Sequence, residues 1–370
     1  MRVLLAGGGT AGHVEPALNL AEVMRRRQPG VELAFLGTAK GLEARLVPAR
    51  GYRLELTEAA PLPRRLDRKS WSDAWRIRRG VRQARALIVR EGVDVVVGFG
   101  GYVALPAYLG ARGRCAIVVH EANARPGLAN RVGARLTSYV AQAYDGSLRG
   151  AKTIGIPLKP EVVNLDRAGS RAGARASFGL DSDRPCLLVF GGSQGARRIN
   201  GAVVDAANRL IGEGWQILHV FGPRNADQVA PLLAAGQPFY TAIDYLDRMP
   251  DAYAAADLAI CRAGAMTCAE LAAVGLPAFY VPLPIGNGEQ RLNAAGVVGA
   301  GGGRLVADDQ LTADLVVREL TELLANQDRL TQMSAAAGAF GIRDGADRLA
   351  DMVEAAASGN RGQRRERRES

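Results

Sequence analysis

Short apolar runs alternate with segments of helical period along most of the chain. In the first half the runs that we predict as strands lie at 2–6, 32–36, 94–98, 116–120 and 138–141. In the second half they lie at 186–190, 216–221, 257–261 and 277–281. Continuous apolar runs separated by helices are typical of buried parallel strands, so the pattern predicts a doubly wound α/β architecture.

A glycine-rich turn follows the first strand of each half. Gly7–His13 comes directly after the run 2–6, and Gly191–Arg197 comes after Cys186–Phe190. Each turn opens a helical segment, where free backbone N–H groups and the helix dipole attract phosphate. We therefore expect two Rossmann-like domains that face each other across a cleft.

The two halves also match at their later strands, and the domain boundaries follow from that match. The turn Gly98–Tyr102 follows one of these strands, and Arg262–Met266 follows its counterpart. Apolar periodicity lapses between Gly155 and Leu165. We predict a first domain at 1–158, a second at 159–342, a helix at 343–357 that packs back on the first domain, and a disordered basic tail at 358–370.

Composition narrows the class of protein. The chain has 370 residues, 45 of them glycine, and its four cysteines form no CxxC pair. This pattern indicates reduced core cysteines in a cytosolic protein rather than a disulfide framework or a zinc site. No apolar run reaches the ~18 residues that a membrane-spanning helix needs, so we expect a soluble protein or one bound to a single membrane face.

The net charge of +10 is concentrated in one block, Pro61–Arg90, which holds ten Arg or Lys and two Asp. We predict a helix from Ser70 to Arg90. Its core stripe would contain Ala74, Ile77, Val81, Ala84 and Ile88, and its outer face would carry Trp71, Trp75, Arg78, Arg79 and Arg82. Tryptophan beside arginine favours contact with an anionic membrane surface, and a solvated helix with both Trp against a loop is the alternative.

The spacing Gly7-x-Gly9-x-x-Gly12 also matches a dinucleotide-binding fingerprint. That fingerprint requires an acidic residue at the carboxyl end of the second strand, which here ends in Gly37 and Thr38. The sequence therefore argues against a nicotinamide cofactor.

Six motifs in order carry a resemblance to a known family. They are GGGTAGHVEPALNLA at 7–21, GFGGYVALP at 98–106, HEANARPGLANR at 120–131, GGSQGARRIN at 191–200, CRAGAMTCAELAAVGLPAFYVPLP at 261–284 and GEQRLNA at 288–294. The chain resembles, from residue 1 to about 355, the glycosyltransferase family 28 enzymes of peptidoglycan synthesis, which have the GT-B fold.

That resemblance implies an inverting transferase that moves GlcNAc from UDP-GlcNAc to the C4 hydroxyl of MurNAc in lipid I, giving lipid II. It implies a peripheral enzyme at the cytoplasmic face of the cell membrane, with other cell-wall synthesis proteins as possible partners. UDP-GlcNAc would be a co-substrate, and we expect neither a required metal nor a nucleic-acid partner.

The resemblance also implies two sets of binding residues. The acceptor diphosphate would be bound by Gly9, Gly12, Gly100, Gly101 and Tyr102. The donor would be bound by Thr10, Ala11, Gly12, Asn123, Lys159, Ser193, Leu246, Ala265, Met266, Thr267, Glu270 and Gln290. Lys159 stands where many relatives carry Arg, so a contact there keeps the positive charge but not the two parallel hydrogen bonds that a guanidinium makes.

His13 and Glu121 are competing candidates for the general base. His13 lies inside the first glycine-rich turn, where it would accept a proton or, if a diphosphate raises its pKa, act as a cationic clamp. His219 is interpreted as a core residue. The pair Asp181 and Asp183 is interpreted as turn chemistry rather than as a metal site.

Two rival functions stay open at this point. A related GT-B enzyme would glycosylate another membrane lipid, and profiling of acceptors separates that case. A non-enzymatic nucleic-acid binder would explain the positive charge but leaves both glycine-rich turns unexplained.

Overall fold

The computed structural model describes residues 1–60, 68–285 and 287–369, and the side chains of these residues except 68–72 and 360–369. The chain divides into two compact units. The first contains Met1–Leu158 and Arg343–Ser370, and the second contains Lys159–Ile342.

The first unit is built on a seven-stranded parallel sheet with the order β3-β2-β1-β4-β5-β6-β7. Its strands are β1 Arg2–Gly7, β2 Glu32–Gly37, β3 Arg53–Leu56, β4 Val95–Gly100, β5 Ala116–Glu121, β6 Val140–Gln142 and β7 Lys152–Thr153. The connecting helices are α1 Ala11–Arg27, α2 Glu43–Ala49, α3 Arg68–Glu91, α4 Gly101–Ala111 and α5 Leu128–Gly133.

The second unit is built on a six-stranded parallel sheet with the order β10-β9-β8-β11-β12-β13. Its strands are β8 Cys186–Phe190, β9 Gln216–Val220, β10 Tyr240–Ile243, β11 Leu258–Cys261, β12 Ala278–Tyr280 and β13 Gly303–Leu305. Its helices are α6 Pro160–Val163, α7 Arg167–Ser177, α8 Arg197–Gly212, α9 Ala226–Ala234, α10 Met249–Ala255, α11 Ala265–Val274, α12 Glu289–Gly299, α13 Ala313–Ala325 and α14 Gln327–Phe340, with a 3₁₀ turn at Asp308–Gln310.

Each sheet has one point at which the strand order reverses. In the first unit β1 pairs with both β2 and β4, and Gly7 lies opposite Gly100. In the second unit β8 pairs with both β9 and β11, and Phe190 lies opposite Cys261. Loops at such a switch point leave the sheet in opposite directions and open a crevice for a ligand. Both predicted glycine-rich turns start there.

The nine predicted strands are all present, and the doubly wound architecture is confirmed. The four strands that the apolar pattern does not predict, β3, β7, β10 and β13, are the outermost strands of the two sheets. Outer strands are covered less completely than central ones, so their sequences need no continuous apolar run. β7, for example, consists of only Lys152 and Thr153.

The last helix, α15 Gly345–Glu369, completes the core of the first unit. Leu349, Ala350 and Val353 are fully buried against that core. Arg27 on α1 pairs with Asp347 at 2.7 Å and with Asp351 at 2.6 Å. The helix also continues through 358–369, where we predicted a disordered tail. The Arg, Gln and Glu residues of this segment are good helix formers, which favours continuation.

The predicted helix in the basic block is present as α3, but its buried face is shifted. Ala84 and Ile88 are buried as expected, whereas Ala74 is exposed and Asp73 is buried. Gly80 lies on this buried face, where a Cβ atom would overlap with the carbonyl oxygen of Glu58. Close approach of the backbone at a residue without a side chain sets the packing of α3.

Candidate functional site

The first glycine-rich turn leads from β1 into α1 with its polar backbone facing outward. Thr10 precedes the helix in an extended conformation, and its side chain makes no capping hydrogen bond. Thr10 and Ala11 are exposed and Gly12 is partly exposed. The amides at the start of a helix have no partner within it, so this turn presents donors to an anion.

The amide of Gly9 is an exception within that turn. It donates to Oε2 of Glu43 at 2.8 Å, so it is committed to the protein itself. Because an amide hydrogen already used in this way is not available to a ligand, the expected direct contact of the Gly9 amide with a diphosphate is not supported by the structure.

The second turn of the first unit meets the first one at close range. Gly100 and Gly101 have φ angles of 97° and 75°, which L residues with side chains rarely adopt. A Cβ atom on Gly100 would lie 3.0 Å from Cδ2 of His13, and one on Gly101 would overlap with the carbonyl oxygen of Gly8. The structure therefore needs glycine at both positions to bring the two turns together.

His13 lies between these turns. Its Nδ1 atom is 3.0 Å from Oγ1 of Thr10, and its ring also bonds to the carbonyl of Gly8. Burial lowers the pKa of His13, while the Gly8 carbonyl and the negative charge of Glu43 act in the opposite direction. A lowered pKa favours the neutral imidazole near neutral pH, which is the form that accepts a proton.

Glu121, at the end of β5, is only 2% exposed, and the loop that follows it surrounds its carboxylate. One oxygen accepts from the amide of Asn123 at 2.9 Å, and the other accepts from Gly127 and from Asn130, both at 3.0 Å. Burial raises the pKa of Glu121, and these donors oppose the rise. A carboxylate enclosed in this way is better placed to hold a loop than to reach a substrate.

Tyr102 and the basic helix supply exposed aromatic groups in the first unit. Tyr102 is 55% exposed beside the second turn. Trp75 is 59% exposed, and the guanidinium of Arg79 lies 5.2 Å from the centre of its ring. Arg78 and Arg82 are exposed on the same helix, and the side chain of Trp71 lies outside the described residues.

The glycine-rich turn of the second unit lies between β8 and α8. The side-chain amide of Asn225 donates at 2.9 Å to the carbonyls of Gln194 and Phe221 and so fixes the turn. Ser193 is exposed at its tip. Its hydroxyl is therefore accessible to a ligand.

The first turn of α11 lies beside it at the switch point. Ala265 begins this helix after Gly264, and Met266 and Thr267 follow it with partial exposure. Glu270, one turn later, accepts a hydrogen bond at 2.7 Å from the hydroxyl of Tyr253. Tyr253 is buried, so it fixes one oxygen of this carboxylate.

The other donor candidates of the second unit lie in its loops and at its helix ends. Oε1 of Gln290 accepts from the amide of Leu283 at 2.9 Å. Leu246 is partly buried in the loop between β10 and α10, and Lys159 precedes α6. The structure thus divides the predicted site residues into two groups. Those at positions 9–13, 100–102, 121 and 123 lie in the first unit, and those from 159 to 290 lie in the second.

The other histidines and the acidic pair are structural. His219 is buried between Tyr240 and Asn200, at 2.7 Å and 3.1 Å, and burial lowers its pKa to about 3. His120 is buried and contacts the carbonyl of Gly155 at 2.9 Å. Asp181 accepts from the amides of Asp183 and Arg184, which is the predicted turn.

Three groups that contact the predicted residues are not themselves among the predicted site residues, although Asn130 lies inside the motif at 120–131. Glu43 contacts the first turn, Asn130 bridges Glu121 and Tyr108, and Tyr253 holds Glu270. Each is distant in sequence from the residue that it contacts. Only the fold brings them together.

The described residues contain neither a cluster of metal-ligating side chains nor a helix that could span a membrane. Across 1–60, 68–285 and 287–369 there is no group of three or more His, Cys, Asp or Glu side chains placed to hold a metal ion. Within the same ranges no helix is long and apolar enough to cross a membrane.

Comparison with known families covers both units. Residues 3–142 match the glycosyltransferase family 28 N-terminal domain, and residues 186–349 match the glycosyltransferase family 28 C-terminal domain.

Curated relatives match nearly the whole chain. The UDP-N-acetylglucosamine--N-acetylmuramyl-(pentapeptide) pyrophosphoryl-undecaprenol N-acetylglucosamine transferase of Acidothermus cellulolyticus is 56% identical over 368 residues, which is 98% of this chain and 99% of that protein. The protein of the same name from Mycolicibacterium smegmatis is 54% identical over 358 residues, covering 95% of this chain and 93% of that one.

Solved structures agree with these matches. MurG of Acinetobacter baumannii superimposes with a TM-score of 0.78 at 28% identity, covering 95% of this chain and 99% of that one. The UDP-GlcNAc 2-epimerase of Neisseria meningitidis, bound to UDP-GlcNAc, gives a TM-score of 0.67 at 13% identity, covering 95% of this chain and 99% of that chain, a likeness in fold alone.

Proposed function

The chain belongs to glycosyltransferase family 28, and from that membership we propose that it transfers N-acetylglucosamine from UDP-GlcNAc to undecaprenyl-pyrophosphoryl N-acetylmuramyl pentapeptide, lipid I. The observation that carries the proposal is the meeting of two glycine-rich turns around His13 in the first unit. Backbone donors around a titratable side chain suit an acceptor that joins a diphosphate to a reacting hydroxyl.

The chemistry that we propose is an inverting displacement. The C4 hydroxyl of MurNAc attacks the anomeric carbon of GlcNAc on the face opposite UDP, the bond to UDP breaks, and a β-1,4 bond forms. His13 takes the hydroxyl proton. Its ring contacts the Gly8 carbonyl and Oγ1 of Thr10, and a neutral imidazole keeps one nitrogen lone pair for that proton.

The remaining candidates bind and orient the substrates. The amides of Gly12, Gly101 and Tyr102 bind the acceptor diphosphate. Thr10, Ala11 and Asn123 contribute to donor binding from the first unit, and Lys159 does so from the second. Glu121 holds the loop that carries Asn123, because its carboxylate is already enclosed by donors.

In the second unit the start of α11 binds the UDP phosphates. The amides of Ala265, Met266 and Thr267 stabilise the charge that develops as UDP leaves. Glu270 accepts from the ribose hydroxyls. Ser193 donates to phosphate, Leu246 contacts uracil through its backbone, and Gln290 contacts the sugar hydroxyls. No step in this scheme needs a metal ion.

The reaction is tested by following UDP release from UDP-GlcNAc in EDTA, with and without a short-chain analogue of lipid I. We expect release that depends on the acceptor and persists in EDTA. His13→Ala should lower kcat by about 10²–10⁴-fold because the general base is lost, while the affinity for UDP is kept.

His13→Gln is the matched control, since it keeps a polar side chain of similar reach but removes the basic nitrogen. A kcat close to wild type in either variant would exclude His13 as the base. UDP-GlcNAc binding without acceptor-dependent release would contradict the lipid I assignment and favour another lipid acceptor.

The contact between Tyr253 and Glu270 predicts a selective effect on the donor. Tyr253→Phe removes the hydrogen bond that fixes the carboxylate, so we expect the KM for UDP-GlcNAc to rise about 5–10-fold with kcat nearly unchanged. Tyr240→Phe is the matched control, because Tyr240 is a second buried tyrosine of the same unit with a hydroxyl bonded at 2.7 Å to His219. Equal changes in KM for the two variants would contradict the role of Tyr253.

We also propose that α3 contacts the anionic cytoplasmic face of the membrane. Exposed Trp75 and the arginines around it support this proposal, because indole rings and cations favour the headgroup region. Contacts with other cell-wall synthesis proteins at this membrane face belong to the same proposal.

The triple variant Trp75→Ala, Arg78→Glu, Arg82→Glu should bind anionic vesicles less tightly than the wild type in a sedimentation assay. Its turnover of a water-soluble acceptor analogue should not change. Arg318→Glu with Arg329→Glu is the control, since both arginines are exposed in the second unit. Vesicle binding by the triple variant equal to that of the control would refute this membrane face.

A further inference from the structure

A buried carboxylate lies directly beneath the first glycine-rich turn. Glu43, the first residue of α2, has 0% of its surface exposed. Its Oε2 accepts from the amide of Gly9 at 2.8 Å, and its Oε1 accepts from the amide and the hydroxyl of Thr38, both at 2.9 Å. Three donors are thus shared by two accepting oxygens, so both oxygens of this buried side chain are paired.

The chain makes space for this side chain with glycine at three separate positions. A Cβ atom on Gly8 would lie 2.7 Å from Oε1 of Glu43, and one on Gly37 or Gly41 would also overlap with this side chain. Gly8 belongs to the first turn, Gly37 ends β2, and Gly41 lies before α2. The side chain of Glu43 therefore packs against the first turn, the end of β2 and the segment before α2 at the same time.

The position of Glu43 is unusual for a site that binds an anion. A negative charge beneath a diphosphate site opposes the binding of that anion, so electrostatics alone would not select it. The hydrogen bonds that Glu43 accepts compensate for this unfavourable charge. By taking the Gly9 amide, Glu43 fixes the backbone direction of the turn, so that the next amides and His13 are presented to the substrate.

From this geometry we propose that Glu43 is a positioning residue for the transfer reaction, one that fixes the first glycine-rich turn and sets the charge around His13. The inference rests on the proposed function of that turn. Glu43 contacts neither substrate. It acts through the Gly9 amide and through its charge.

Among the described residues the charge that acts on the pKa of His13 is that of Glu43, so its effect can be isolated. Glu43 faces His13 from α2 and Thr10 from its own turn. Gly100 at the end of β4 and Gly101 at the start of α4 also face it, and Asn130, which donates a hydrogen bond to Glu121, lies beside Gly100. The charge of Glu43 raises the pKa of His13, so removing it lowers that pKa. Since the neutral imidazole is the base, the acid limb of the kcat/KM profile should then move to lower pH.

The test compares Glu43→Gln, Glu43→Asp and Glu15→Gln in the full-length protein. Glu43→Gln should lower kcat/KM for the lipid I analogue about 10–100-fold, because a buried donor loses its acceptor. It should also shift the acid limb of the kcat/KM profile to lower pH. Glu43→Asp keeps the charge but has a shorter side chain. It should lower kcat/KM but leave the acid limb of its pH profile unchanged.

Glu15→Gln is the matched control for charge. Glu15 lies on α1, two residues after His13, but its carboxylate pairs with Arg50 at 3.2 Å. This variant should keep both the rate and the pH profile. In all three variants the affinity for free UDP, measured by titration calorimetry, should stay within about twofold of wild type, because its phosphates, ribose and uracil are assigned to the second unit, whereas Thr10 and Ala11 of the first turn are assigned to the complete donor, UDP-GlcNAc.

Two outcomes would overturn the proposal. One is a Glu43→Gln enzyme with the rate and pH profile of Glu15→Gln. The other is a Glu43→Gln enzyme that loses both UDP affinity and melting temperature, which would make Glu43 a general stability residue.

If Glu43→Gln does not fold, the variant Thr38→Val tests the proposal instead. It removes one donor to Glu43, so kcat/KM should fall about 3–10-fold while the affinity for UDP stays at the wild-type value. A wild-type enzyme without acceptor-dependent UDP release would instead refute the proposed function itself.

Discussion

The parallel pairing of β1 with β4 is the constraint on which the first site depends. It brings Gly7 opposite Gly100, so the two turns leave the sheet side by side at one edge. Because the backbones then approach closely, neither Gly100 nor Gly101 has room for a side chain. Pairing of β8 with β11 repeats the arrangement in the second unit, where the turn 191–196 and the start of α11 are neighbours. One topological feature thus generates, from two different sequences, two sheet edges at which helix starts suit the binding of an anion.

Buried polar groups fix the conformation of the loops at these edges. Backbone amides give a turn its affinity for phosphate, but they do not fix its conformation. In the first unit Glu43 fixes the first turn and Glu121 fixes the loop after β5, each by accepting several hydrogen bonds while shielded from water. In the second unit Asn225 holds the turn and Tyr253 holds Glu270. Polar groups at such sites must be fully paired to be tolerated, and full pairing makes the surrounding loop rigid.

The sequence alone predicts the central part of the fold and the outward-facing part of the site. Central strands carry long apolar runs, and the glycine-rich turns carry a recognisable pattern, so both are visible without a structure. Outer strands such as β7 and β13 are short and partly polar, and no local pattern separates them from loops. Glu43 escapes prediction for a different reason. It is 34 positions from Gly9 and looks like an ordinary first-turn acid of a short helix until the sheet brings the two together.

The most direct test of this account is a titration of the protein, labelled with ¹⁵N-glycine and saturated with UDP, with a short isoprenyl diphosphate. In the proposed function UDP occupies the loops of the second unit, so the added diphosphate reports on the first. The account predicts that the amide signals of Gly12 and Gly101 shift with increasing diphosphate, while that of Gly9, held by Glu43, changes little. Signals of Gly12 and Gly101 that do not move would contradict the claim that the two turns at the β1–β4 edge bind the acceptor.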